Sequence, residues 1–133
     1  MIARSRAWCV IALSVGALVN SGPQGLAQRA DGRVAVLRGL DKITARVSTF
    51  EAPLGQEVRF GTLRVLVRTC RSRPPEEPPE TSAFIEISDQ RPGDLPRIVF
   101  SGWMFASTPA LSALEHPIYD VWVIDCRTSA TRP

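Results

Sequence analysis

The chain is poor in the residues that build metal centres: among its 133 residues are one histidine, His116, and three cysteines, Cys9, Cys70 and Cys126. A zinc site needs three or four ligands, so one here would have to lean on carboxylates. There is no glycine-rich phosphate loop and no G-x-S-x-G elbow, which removes the usual nucleotide-binding and α/β-hydrolase signatures. No cofactor is expected. Past the first six residues every basic residue except Lys42 is an arginine, spread along the chain rather than gathered in a block. Nothing in that spacing tracks a phosphate backbone, so no nucleic-acid partner is expected.

Long apolar runs are also missing, with one exception at the start. Arg4 and Arg6 precede Ala7 to Val19, a 13-residue apolar stretch that breaks at Asn20, Ser21, Gly22 and Pro23. That length suits the core of a signal peptide and falls short of the roughly 20 apolar residues of a spanning helix. Gly25 and Ala27 make a small-x-small cleavage site, so residues 1–27 read as a signal peptide cut between Ala27 and Gln28. The competing reading is an uncleaved anchor or a buried N-terminal helix. Cleavage predicts a periplasmic or secreted protein with no stable membrane insertion afterwards.

Residues 28–133, 106 in number, suit one domain, with its ordered part over about 33–127. Losing Arg4 and Arg6 leaves 14 basic against 13 acidic residues, a net charge of +1 in place of +3. Losing Cys9 leaves Cys70 and Cys126, an even number in an oxidising compartment, and these are predicted to be bridged. The alternative is a pair of reduced catalytic or metal-binding thiols.

From Arg33 onward, short β-branched runs separated by Gly, Pro and Asp read as an all-β domain. Strands are predicted over 34–37, 43–51, 57–60, 62–70, 83–87, 97–101 and 119–126. Residues 28–32 read as frayed. Arg71 to Thr81 holds four prolines and reads as an exposed loop. Gly102 to Phe105 reads as an aromatic-rich corner, and Ser107 or Thr108 as the cap of a short helix near residues 109–115, with Pro109 at its first position. The fold class is therefore all-β, mainly β: a compact small sandwich or partly open barrel with that one short helix.

His116 with Glu115 and Asp120 could be drawn as an acid/base or metal site, but a histidine closing a helix, where the dipole favours positive charge, is the plainer reading. Ser101 has no oxyanion hole in prospect. Glu76, Glu77 and Glu80 beside Arg71 and Arg73 read as a solvated charged loop, with a weak calcium site or a docking loop as the alternative. Among the aromatics, Trp103, together with Met104, is the candidate for an exposed recognition edge.

The runs LDKITARVSTF (40–50), PLGQEVRFGTLRVLVRTC (53–70), PPEEPPETSAFIEI (74–87) and FSGWMFASTPALSALEHPIYDVWVIDC (100–126) resemble the alphaproteobacterial exported family catalogued as domain of unknown function 2155. The resemblance covers about Gly39 to Cys126. It implies a small exported protein with Cys70 and Cys126 paired, and it implies no activity.

The expected function is thus a non-enzymatic periplasmic binding or accessory module. It would dock on an unknown protein or cell-envelope component through Gly102 to His116, with Trp103, Met104, Phe105, Leu111 and His116 as binding residues, and with the Arg71 to Thr81 loop as a second contact. The alternatives are a purely structural envelope factor and a small periplasmic enzyme with a site around His116 and Asp120.

Overall fold

A computed structural model of the chain describes residues 30–130; the expected leader and its cleavage point lie outside them. Eight strands run in order: β1 (Ala30–Asp31), β2 (Val34–Asp41), β3 (Arg46–Pro53), β4 (Glu57–Phe60), β5 (Leu63–Ser72), β6 (Thr81–Asp89), β7 (Arg97–Phe105) and β8 (Tyr119–Arg127). Among the described residues one 3-10 turn, Pro109–Leu111, stands where the short helix was expected near residues 109–115; it ends before Ser112, and Thr108 at its N-cap makes no side-chain capping bond. All pairings are antiparallel. One sheet has the order β1-β5-β6-β7, with β4 also on β5, and the other has the order β3-β2-β8. The fold is a compact, sandwich-like all-β domain.

Alternation builds the core. Leu63, Val65 and Val67 of β5, Ala83, Ile85 and Ile87 of β6, and Met104 of β7 face Ala35 and Leu37 of β2, Ala52 of β3, and Val121 and Val123 of β8. Fully burying one such Val, Leu or Ile contributes about 1.5–3 kcal/mol. The chain crosses between the sheets three times: at two short corners, Gly32–Arg33 from β1 to β2 and Leu54–Gln56 from β3 to β4, and through the longer 106–118 connection from β7 to β8. Backbone bonds from Gly32 to the Cys70 carbonyl (3.0 Å) and from Gly55 to the Val67 carbonyl (2.9 Å) lay both corners along β5. Cys70 of β5 and Cys126 of β8 are bonded across the two sheets, their Cα atoms 5.7 Å apart, within the range a disulfide requires.

The strands depart from the sequence reading in four places. Arg71, Ser72 and Thr81, expected in the exposed loop, pair at the ends of β5 and β6, and Thr81 is buried. Ala30–Asp31, expected to be frayed, pair with Ser72 and Arg71. Residues 43–45, expected to begin a half-buried strand, belong instead with Lys42 to the β2–β3 turn. The Asp41 carboxylate accepts the Ile43 and Thr44 amides at 2.9 and 3.2 Å, a side-chain turn that competes with the ladder, and Ile43 is left exposed. Gly102 to Phe105 is no corner: β7 continues through it, pairing Trp103 with Phe84 and Phe105 with Ser82.

An aromatic chain closes one end of the sandwich. Phe50 stacks on Phe60 (5.3 Å), Phe60 meets Tyr119 edge to face (5.5 Å), and Tyr119 stacks on His116 (5.4 Å). Phe60, Gly61, Thr62 and Leu63 form the two-residue β4–β5 hairpin, with Gly61 at φ +60°, the sign that glycine supplies in such turns. The Tyr119 ring occupies the space a Cβ at Gly61 would fill.

Candidate functional site

His116 lies at this end, in the connection between β7 and β8, and its side chain is only 2% exposed. Its Nδ1 accepts two backbone amides, Ile118 at 3.1 Å and Tyr119 at 3.2 Å. Nδ1 is therefore unprotonated, and the ring proton sits on Nε2, which donates to Asp89 Oδ2 at 3.1 Å. The carboxylate partner is Asp89 and not Glu115 or Asp120. Asp89, with a side chain 4% exposed, also accepts a hydroxyl from Thr62 and lies 3.3 Å from Arg91 Nε. Burial, the largest influence, raises the Asp89 pKa, but the hydrogen bonds from Thr62, His116 and Arg91 together outweigh it, so the carboxyl titrates below its ordinary value.

Both imidazole nitrogens are engaged within the fold, so the ring offers no lone pair to a bound molecule. The arrangement works as a pin. It fixes the 112–118 connection to the end of β6, and Lys42 completes it, donating to the His116 carbonyl at 2.9 Å and pairing with Asp120 at 2.8 Å. Asp120 thus serves the β2–β3 turn rather than the imidazole. His116 is no helix cap, because the 3-10 turn ends at Leu111.

The expected binding set divides by exposure. Trp103 (40%) and Leu111 (74%) are exposed and Phe105 is half-buried, whereas Met104 (2%) and His116 (5%) are interior. The register explains the split: Met104 pairs with Ala83 on the inner face, while Trp103 pairs with Phe84 on the outer face, ring to ring at 5.6 Å. Met104 is a core residue and cannot join a recognition edge.

β7 is also an edge strand. Among the described residues no backbone bond leaves it on the side away from β6, so its outward amides and carbonyls face an open position in the sheet. From Ile98 to Phe105 it carries no charged residue, and so lacks the lysines, prolines and inward charges that keep free edges from pairing. Sequence reasoning missed this edge because an edge is a property of strand order.

In the 73–80 loop, Arg73 and Glu77 approach at 3.9 Å. Glu80 accepts the Ser107 hydroxyl, the Ser107 amide (3.1 Å) and the Thr81 amide (3.0 Å). The Ser107 hydroxyl chiefly holds its carboxyl below the ordinary value; burial opposes it, and the two amides and Arg73 add to the lowering. The glutamates are spread over separate contacts, and no group of three or more potential metal ligands forms among the described residues.

Comparison with known proteins gives a consistent picture. The bacterial family described as "Uncharacterized protein conserved in bacteria (DUF2155)" matches residues 35–126. An uncharacterized protein of Rickettsia prowazekii (strain Madrid E) is 30% identical over 87 residues, covering 65% of this chain and 56% of that protein. The chain therefore spans little more than half the length of the curated relative it matches. No solved structure matches it.

Proposed function

The chain belongs to this family of uncharacterized bacterial proteins, and on that premise we propose that it is an exported, non-enzymatic binding module whose outer β7 edge docks a protein of the cell envelope. The observation that carries the reading is the open, uncharged edge from Ile98 to Phe105, with Trp103 exposed beside it. An extended segment of a partner can add to such an edge by main-chain hydrogen bonds, while aromatic side chains supply selectivity. Leu111, exposed in the 3-10 turn that packs near β7, extends the surface. The bonded pair Cys70–Cys126 supports a periplasmic or secreted location, where disulfides persist.

The test is affinity capture from a periplasmic extract, with the protein and its Trp103→Ala variant as baits. Circular dichroism establishes that the variant is folded. A partner held by the parent and lost by the variant is expected. Identical capture by both overturns the proposal.

A further inference from the structure

Two arginines of the β4–β5 hairpin and a third from a distant loop meet at one place on the outer face of the larger sheet. Arg59 of β4 and Arg64 of β5 are directly opposite each other in the antiparallel ladder, which puts their Cβ atoms about 4.5–5.5 Å apart. Arg91, from the β6–β7 loop, lines the same shallow depression of about 260 Å³, whose remaining walls are Gln90, Pro92 and Gly93. Like charges facing across strands cost stability, so the pair is an expense to the fold unless something of opposite charge sits between them.

The local acids supply it only in part. Glu57 reaches Arg64 Nη1 at 3.3 Å, and the buried Asp89 takes Arg91 by its Nε at 3.3 Å while already holding Thr62 and His116. Arg59 has no acidic partner among the described residues. Each guanidinium carries five N–H donors in a planar fork that matches phosphate oxygens. The Asp89 contact through Nε leaves the terminal nitrogens of Arg91 for other partners.

We propose that Arg59, Arg64 and Arg91 form a binding site for a phosphate-class oxyanion, either free or carried on an anionic lipid headgroup. The site is separate from the β7 edge and does not depend on the docking proposal. Asp89 fixes Arg91 from within the fold, so the His116 pin is also what positions the third arginine.

The experiment is calorimetric titration of the purified protein with pyrophosphate, alongside co-sedimentation with phosphatidylglycerol vesicles and, for contrast, phosphatidylcholine vesicles. The Arg59→Gln/Arg64→Gln variant should bind at least about tenfold more weakly, with its unfolding midpoint unchanged or raised. An Arg38→Gln/Arg46→Gln variant, with the same change in net charge at two other exposed sites, should lose less than about twofold. Pyrophosphate binding that is lost in the first variant supports the site with a free anion. Binding only to phosphatidylglycerol, lost in the same variant, supports it with a headgroup. No binding to either probe, an equal loss in both variants, or a lowered midpoint in the first overturns it.

Discussion

The phenyl ring of Phe60 rests on the backbone of Gly39: a Cβ at Gly39 would come within 2.4 Å of Phe60 Cζ. Gly39 lies in β2, the central strand of its sheet, between Ser48 of β3 and Val121 of β8, and the ring reaches it from β4 of the other sheet. Gly39→Ala should therefore destabilise by about 1–3 kcal/mol, as overpacking does. In a Phe60→Leu background the same substitution should cost clearly less, and urea unfolding of the four proteins measures the coupling. Strictly additive costs would show that the ring does not set the need for glycine.

The Asp89 carboxyl titrates below its unfolded value, which fixes the direction of its pH dependence. A depressed carboxyl stabilises the fold fully above the unfolded pKa of about 3.9, and that contribution fades as pH falls through the folded value. Asp89→Asn should lower stability at pH 7 by about 1–3 kcal/mol, the cost of weakening a buried hydrogen-bonded group. Denaturant curves at pH 7 and pH 3 should show the gap between parent and variant narrowing in acid. A gap of the same size at both would remove Asp89 from the acid response.

Cys70 and Cys126 are 56 positions apart, a separation for which the chain-entropy account assigns the bridge roughly 4 kcal/mol. The Cys70→Ser/Cys126→Ser variant should unfold at a much lower urea concentration. Thiol labelling of residues 28–133 under denaturing conditions should find these two thiols only after reduction. Labelling without reductant would end the assignment.

Ser107 holds the 73–80 loop through the Glu80 carboxylate. Ser107→Ala should loosen the loop and speed cleavage after Glu76 by a glutamyl endopeptidase, while leaving the global unfolding midpoint nearly unchanged. Equal cleavage rates in variant and parent would show that the contact does not restrain the loop.

Strand alternation was legible wherever a strand is buried on one face, as in Leu63, Val65 and Val67 or Ala83, Ile85 and Ile87. It failed at Ile43, where the Asp41 side chain turns the backbone, and at Gly102, where a glycine among aromatics reads as a bend although pairing with Ile85 keeps it extended. Asp89 could have been found by continuing the inward register from Ile85 and Ile87, which puts it on the buried face. Its partners could not: Thr62 and His116 each lie 27 positions away along the chain. The meeting of Arg59, Arg64 and Arg91 likewise depends on which strands and loops are neighbours.

The two short corners and the disulfide gather along β5, whereas β7 is tied to the other sheet by the longer 106–118 connection and has no strand on its outer side. An edge strand opens more readily than one paired on both sides, so the outward amides of β7 should exchange with solvent well before those of β5. The strand offered to a partner is then also the one whose local stability a bound partner would raise most.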